Sequence, residues 1–214
     1  CLSITTTSGP GLALKSEAVG LAVITELPLV IVDVQRGGPS TGLPTKTEQS
    51  DLMQALYGRN GEAPCIVIAA TSSSNCYHFA YRAAKLSLEH MTPVILLTDG
   101  YLANGSELLE IPKIADMPEI KPRFIDPNSE EEYLPYKRDE KTMAREWAVP
   151  GMKNKRHRIG GLEKWEVTGN VSHDPQNHQR MTEIREEKVQ RVVDYIPEQQ
   201  IAGPKSGELL IVGW

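Results

Sequence analysis

Short apolar runs, each followed by a glycine- or hydroxyl-rich loop and then by a helical stretch, constrain the fold of this chain most. Three of the runs show almost no polar alternation, which is typical of strands buried on both faces; they are 29–34, 65–70 and 93–97. The threonine-rich segment 1–7 alternates and is predicted to be a further strand. Strands of this kind separated by helices predict an α/β fold with a doubly wound, mostly parallel sheet.

Helices are predicted between these strands, at 12–26, 47–57 and 76–91, from apolar spacing and capping residues. Because crossover connections are right-handed, every strand-to-helix loop should lie at one edge of the sheet. Ligands of open α/β sheets bind outside the carboxyl ends of the strands. The loops expected to converge there are Ser8–Gly11, Arg36–Gly42, Thr71–Asn75 and Asp99–Tyr101.

Composition divides the chain into three parts. Residues 1–110 hold the strand, loop and helix units, and residues 111–200 form an irregular excursion, a flap and a long helix. Residues 201–214 are predicted to be a linker and the first buried strand, at 208–213, of a following domain. Because both ends lie in strand-like sequence, we expect the chain to be a fragment of a longer polypeptide.

The excursion has three features of its own. Prolines interrupt regular structure in its first part. The flap, at 151–170, is predicted to be a β-rich surface element, and its basic run Lys153–Arg158 is expected to be solvated or to meet an acidic partner or a phosphate. Asp174 is a predicted cap, with Pro175 after it, for a helix that runs to Tyr195.

Composition also excludes several classes of function. A net charge of -5 and a pI near 5.6 argue against nucleic-acid binding, which normally needs a basic face. There is no apolar run of about 18 residues and no export signal, so no membrane association is expected. The three cysteines, Cys1, Cys65 and Cys76, are too few for a disulfide framework or a cluster made by this chain alone, and they favour a reducing, cytoplasmic setting.

Arg36 is the first candidate for a binding residue, because it carries a fixed charge at the exit of the strand 29–34, within a glycine-rich loop. Its planar guanidinium can hold a carboxylate with two parallel hydrogen bonds. An ordinary surface charge is the alternative. The turn Ser8–Gly11 is not followed by the Lys-Ser/Thr of a phosphate-binding loop, so it is either structural or presents backbone N–H groups to a ligand.

Other titratable residues do not form a defensible site. His78 and His90 lie within a predicted helix and are expected to be structural. His173 and His178 lack a third ligand, so no metal site is expected in this chain. Cys76 lies near a helix N-terminus, without a His or Asn partner pattern, and is expected to pack. No Ser-His-Asp arrangement and no pair of catalytic carboxylates can be identified.

Four segments carry a family resemblance: TTTSGPGLALKSEAVGLAV, LPLVIVDVQRGGPSTGLPTKTEQSDL, DPQNHQRMTEIREEKV and GELLIVGW. In this order they resemble the alpha subunit of 2-oxoacid:ferredoxin oxidoreductases, most closely the 2-oxoglutarate type. QRGGPSTG is specific, whereas TSGPG-like turns also occur in other thiamine diphosphate enzymes. The resemblance implies the pyrimidine-binding domain of the thiamine diphosphate fold and the start of a domain like the transketolase C-terminal one.

The same resemblance implies roles for particular residues. Arg36 would bind the carboxylate of the substrate. The turn beside the cofactor pyrimidine would be Ser8, Gly9 and Pro10. The rest of the Arg36 loop would line the pocket, through Gly37, Gly38, Pro39, Ser40 and Thr41.

The implied reaction is the oxidative decarboxylation of a 2-oxo acid, 2-oxoglutarate in the type most resembled, to an acyl-CoA. The implied cofactor is thiamine diphosphate with Mg²⁺, shared with or held by a beta subunit that also holds a [4Fe-4S] cluster. Coenzyme A is the implied co-substrate, ferredoxin the electron acceptor, and a gamma subunit or domain a further partner.

Two features of the family have no counterpart in this sequence. The substrate-binding threonine and the glutamate that activates the aminopyrimidine both lie upstream of the TSGPG strand, so the chain alone is expected to be inactive. Two alternatives stay open: a redox-neutral thiamine diphosphate decarboxylase or synthase, and a non-catalytic domain that only assembles other subunits.

Overall fold

The computed structural model describes residues 1–213 and is built on one parallel sheet. Neighbouring strands pair in parallel in the order β1-β2-β4-β3. Their bounds are β1 (Ser3–Thr7), β2 (Leu29–Gln35), β3 (Ile66–Ala69) and β4 (Pro93–Asp99). The predicted α/β fold with a parallel sheet is confirmed.

Helices connect the strands and follow them. They are α1 (Gly9–Leu14), α2 (Ser16–Thr25), α3 (Leu52–Tyr57), α4 (Ser73–His90), α5 (Gly100–Asn104) and α6 (Pro175–Gln190). Short 3₁₀ turns lie at Ile114–Asp116 and Arg191–Tyr195. The prediction for 12–26 was wrong in one respect, because two helices meet at Lys15, which departs from helical geometry at ψ 2°.

The sheet is covered on both faces, as its apolar strands require. Helices α1, α2 and α3 pack on one face, where Leu12 and Val23 meet Ile31 and Ile95. Helix α4 and the 3₁₀ turn that follows α6 cover the other face, where Leu86 and the buried Val192 meet strand residues. Alternate residues of one strand therefore serve two separate cores.

A buried ionic cluster joins the sheet domain to the excursion. Glu26, just after α2, is fully buried and accepts hydrogen bonds from Arg138 of the excursion and, at 2.6 Å, from Lys188 of α6. The Nζ atom of Lys188 also donates to the Met91 carbonyl at 3.0 Å. Burial would raise the pKa of Glu26, but the two cations outweigh it and hold that pKa well below its usual range.

The excursion is irregular, as predicted, but its flap is not β-rich. Only isolated bridges involve it, such as the one between Lys164 and Val171. The basic run is not wholly solvated either: Lys155 is buried, and its Nζ atom donates to the carbonyls of Ser129 and Glu131 at 2.8 and 2.9 Å. Those carbonyls have no strand partner, so a buried ammonium group satisfies them.

The C-terminal part agrees with the sequence in one place and differs in another. Asp174 caps α6, because its carboxylate accepts from the Asn177 N–H at 2.7 Å. The predicted buried strand at 208–213 does not form: these residues are exposed and irregular, since no neighbouring strand edge offers them hydrogen bonds. That they begin a further domain stays a prediction. Among residues 1–213, no helix has the length and apolarity needed to cross a membrane.

Replacing Glu26 tests the importance of the ionic cluster. We expect Glu26→Gln to lower the free energy of unfolding by about 3 kcal/mol, because it leaves two buried cations without a counter-charge. Chemical denaturation of the purified protein measures this. Glu198→Gln, at an exposed position, is the matched control and should change stability by less than about 0.5 kcal/mol. Equal stability of the two variants would contradict the assignment.

Candidate functional site

The candidate site lies at the carboxyl edge of the sheet, where the loops after β1, β2 and β4 meet. The side chain of Gln54 in α3 donates to the Gly9 carbonyl at 2.9 Å, which joins α3 to the turn after β1. Gln49 donates to Asp99 at 2.8 Å, which joins the loop after β2 to the end of β4. The convergence expected from right-handed crossovers is therefore present for the loops after β1, β2 and β4.

Arg36 follows β2 at this edge and is half-buried. Its Nε atom donates to the Thr41 carbonyl at 3.2 Å, within its own loop. Among residues 1–213, no carboxylate forms an ion pair with Arg36, so its guanidinium is not committed to a counter-ion within the chain. A half-buried cation without an ion pair at the carboxyl edge is suited to bind an anion.

The loop that carries Arg36 is folded on itself. Gly37 donates to the Lys46 carbonyl and accepts from the Leu43 N–H, both at 2.8 Å. Gly42 has a φ of +48°, and a Cβ atom there would lie 1.7 Å from the Gly37 carbonyl oxygen, so only glycine fits. The Gly38–Pro39 peptide bond is cis. Residues 38–50 are exposed, so Pro39, Ser40 and Thr41 present an open surface rather than a closed pocket.

The turn after β1 begins α1, with Ser8 as the N-cap and Pro10 in the first helical turn. The Ser8 side chain makes no capping hydrogen bond, which leaves its hydroxyl group available. Gly9 is buried, and a Cβ atom there would lie 2.6 Å from the carboxylate of Asp51. Gly11 is equally restricted, because its Cβ would collide with the Thr7 hydroxyl.

Hydrogen bonds of the Gln35 side chain fix the position at which α3 begins. Gln35 is fully buried, donates to the Thr98 carbonyl at 3.2 Å and accepts from the Asp51 N–H at 2.9 Å. Helix α3 therefore begins at Leu52, and the prediction that it begins near residue 47 was wrong. Residues 47–51 belong to the Arg36 loop instead. Hydrogen bonds such as the one that the Gly38 N–H donates to the Glu48 carboxylate hold this loop in place.

Sequence reasoning missed a pair of carboxyl groups at this edge. Asp33 of β2 is fully buried on the same face as Ile31 and Gln35, and it faces Asp51. Burial first and Asp51 second raise the pKa of Asp33 to about 7. Burial and Glu48 raise the pKa of Asp51. The available signal was one acidic residue within an otherwise apolar strand.

The remaining titratable candidates lie apart from this edge or have structural contacts. His90 is buried against the ring of Tyr195, and burial lowers its pKa to about 4. His178 contacts Glu163 at 2.7 Å. Burial, with a contribution from Asp99, raises the pKa of the Cys76 thiol, which therefore has no activated thiolate. Within residues 1–213, no three His, Cys, Asp or Glu side chains cluster as metal ligands.

Comparison with known proteins connects this site to named relatives. The chain is 50% identical over 214 residues to the 2-oxoglutarate oxidoreductase subunit KorA of Mycobacterium tuberculosis, covering 100% of this chain and 32% of that protein. It is 37% identical over 206 residues to the 2-oxoglutarate synthase subunit KorA of Methanothermobacter thermautotrophicus, covering 92% and 51%. The chain thus spans between a third and about half of the length of these two relatives.

A solved structure matches over nearly the whole chain. It is the 2-oxoglutarate:ferredoxin oxidoreductase from Magnetococcus marinus with 2-oxoglutarate, coenzyme A and succinyl-CoA bound, with a TM-score of 0.87 and 38% identity. The match covers 94% of this chain and 35% of that one. Residues 1–176, which include the sheet and both loops, match a family described as pyruvate flavodoxin/ferredoxin oxidoreductase, thiamine diphosphate-binding. The chain therefore belongs to this family of thiamine diphosphate-binding oxidoreductase domains.

Proposed function

We propose that this chain is the pyrimidine-binding part of an alpha subunit of a 2-oxoacid:ferredoxin oxidoreductase that acts on 2-oxoglutarate. The complete enzyme would convert the 2-oxo acid and coenzyme A to an acyl-CoA and carbon dioxide, and would pass the electrons to ferredoxin. The names of the similar proteins support 2-oxoglutarate as the substrate. A cytoplasmic location stays a prediction.

The single observation that carries the proposal is the position of Arg36. Its guanidinium has no ion pair with a residue of the described chain, and it follows β2, which lies directly beside β1 and its turn Ser8–Gly9–Pro10. A carboxylate held there would place the adjacent 2-oxo carbon near the turn. If a second subunit covers the exposed loop, the loss of water strengthens the attraction between Arg36 and the carboxylate.

The turn fits a flat heteroaromatic ring better than a phosphate. It offers the uncapped hydroxyl of Ser8 and a small surface at Gly9 and Pro10, without a lysine of the phosphate-binding type. Thiamine diphosphate, when bound, supplies an electron sink for decarboxylation of a 2-oxo acid. Within residues 1–213 no cluster suits a metal, so we assign Mg²⁺, the diphosphate and the [4Fe-4S] cluster to a beta subunit.

Exposed apolar side chains support a partner that closes the site. Met53 and Tyr57 of α3 are 63% and 72% exposed, and Leu43 of the Arg36 loop is 61% exposed. Large apolar side chains that stay exposed mark surfaces where another protein binds. We assign this surface to the beta subunit, and the presence of a gamma subunit or domain remains part of the proposal.

Removing the Arg36 side chain tests the substrate assignment. We expect Arg36→Ala in the complete enzyme complex to lower kcat/KM for 2-oxoglutarate about 10- to 1,000-fold, because one charge-assisted bidentate contact is lost. Arg36→Lys should recover only part of this activity, since an ammonium group keeps the charge but not the fork. Steady-state kinetics with ferredoxin as acceptor measure both variants.

The control for this experiment is Arg158→Ala, which removes an exposed arginine of the flap. It should leave kcat/KM unchanged. Pyruvate and a branched 2-oxo acid, tested in parallel, report the substrate preference. An Arg36→Ala complex with the kcat/KM of the unmodified enzyme would refute the role of Arg36, and turnover without any electron acceptor would favour a redox-neutral enzyme.

Substitution of Gly9 tests whether the turn Ser8–Gly9–Pro10, here called the cofactor turn, contacts thiamine diphosphate. We expect Gly9→Ala to weaken the affinity of the complex for thiamine diphosphate at least about tenfold, because the new Cβ must displace the Asp51 carboxylate and shift the turn. Gly160→Ala is the matched control, since a Cβ there meets no atom within 4 Å. Isothermal titration of the cofactor-free complex measures both. Equal affinity of the two variants would show that the turn does not contact the cofactor.

A further inference from the structure

The carboxyl pair beneath the cofactor turn has no role in the proposed reaction, and its geometry is unusual. Asp33 is 0% exposed, and neither of its carboxyl oxygens has a hydrogen-bond donor among the described residues. The group that it faces is the carboxyl of Asp51, another acceptor. A buried carboxylate without a hydrogen-bond donor lowers the stability of the folded protein. Protonation of one of the two carboxyl groups removes this cost, because the protonated group can donate a hydrogen bond to the other.

Asp51 is directed away from its own helix. It occupies the N-cap position of α3, where an aspartate usually accepts from the N–H groups of the first turn, yet its side chain makes no capping bond. Its carboxylate lies against Gly9 instead, where it is 2.6 Å from the position that a Cβ atom would occupy. Its own N–H is fixed by Gln35. The side chain therefore stabilises the turn rather than the helix.

Within residues 1–213, the surroundings of the pair provide no neutralising cation. In the sheet Asp33 lies between Thr7 of β1 and Leu97 of β4, which are both uncharged. Glu48 of the Arg36 loop acts on Asp51 and adds negative charge. Lys15 of the α1–α2 junction lies near Gly11, but among the described residues it forms no ion pair with either carboxyl group. Two carboxylates in buried contact cannot both be ionised at low cost.

We propose that Asp33 is a positioning residue that shares one proton with Asp51, so that an O–H···O bond from Asp33 holds the Asp51 carboxylate against Gly9 and fixes the Ser8–Gly9–Pro10 turn. The only covalent bond that forms or breaks is the O–H bond of the carboxyl group that holds the proton. The proton comes from solvent and returns to it when the pair ionises. The consequence for cofactor binding rests on the proposed function, whereas the shared proton does not.

The direction of the pH dependence follows from the raised pKa of Asp33, about 7 in the folded protein against an ordinary value near 4. Because the folded state holds this proton more tightly, the stabilising contribution of Asp33 is complete below about pH 4. It is lost as the pH rises from about 4 to about 7. Above that range both carboxyl groups are ionised, repel each other, and release Asp51 from Gly9.

The decisive variant is Asp33→Asn, whose amide donates to Asp51 at every pH. In the complete complex, we expect its Tm minus that of the unmodified protein to increase by about 4 °C between pH 5 and pH 8 and to stay constant above pH 8. The affinity of the unmodified complex for thiamine diphosphate should fall about tenfold relative to the variant between pH 6.5 and pH 8.5. The ratio of the two dissociation constants at each pH is independent of the ionisation of thiamine diphosphate itself, because both proteins bind the same ligand.

Two further variants separate positioning from general damage. Asp33→Leu keeps approximate size but lacks a donor, so it should bind thiamine diphosphate more weakly than Asp33→Asn at every pH. Asp194→Asn, at an exposed position, should follow the unmodified protein throughout. A pH-independent difference in Tm between Asp33→Asn and the unmodified protein would overturn the shared proton. Equal affinities of the Asp33→Leu and Asp33→Asn complexes would overturn the positioning role.

The proposed function and the shared proton are tested by different measurements. A complex that binds no thiamine diphosphate or oxidises no 2-oxo acid refutes that function, while the melting curves still test the shared proton. A complex that is active but shows parallel Tm curves refutes the shared proton alone.

Discussion

The buried carboxylate of Glu26 is the interaction on which the arrangement of the chain depends. It lies where α2 ends, and it binds Arg138 from the excursion and Lys188 from α6, so one anion holds three segments far apart in sequence. Taking these charges out of water costs several kcal/mol each, and only their close contacts offset that cost. The irregular excursion has few strand hydrogen bonds, and this cluster and buried lysines such as Lys155 replace them.

The candidate site lies at the carboxyl edge of the sheet. Backbone groups of the loop after β2, including those of Gly37 and Gly42, form hydrogen bonds within the loop. No carboxylate of this loop pairs with Arg36. The turn after β1 is packed so closely that a Cβ at Gly9 would strike Asp51. Rigid positioning and a cation without an ion pair are the two properties that the proposed site for a 2-oxo acid requires.

The contrast between the two acidic groups shows how surroundings decide chemistry. Glu26 is as buried as Asp33, but the cations beside it keep its pKa low. Burial first, and then the neighbouring Asp51 carboxyl, raise the pKa of Asp33 to about 7. The first group therefore provides a permanent charge for structure, whereas the second provides a proton that can be exchanged near neutral pH.

The pattern of amino acids alone predicted the parallel sheet, the edge at which the loops meet, and Arg36 as the candidate binding residue. Runs of apolar residues such as 29–34 can be buried only between two layers, and right-handed crossovers then leave one edge for the loops. The folded chain was needed to show that α3 begins at Leu52, that Lys155 is buried, and that Asp33 faces Asp51. These features depend on contacts between residues that are distant in the chain. A local sequence pattern does not indicate which polar groups will face each other in the folded protein.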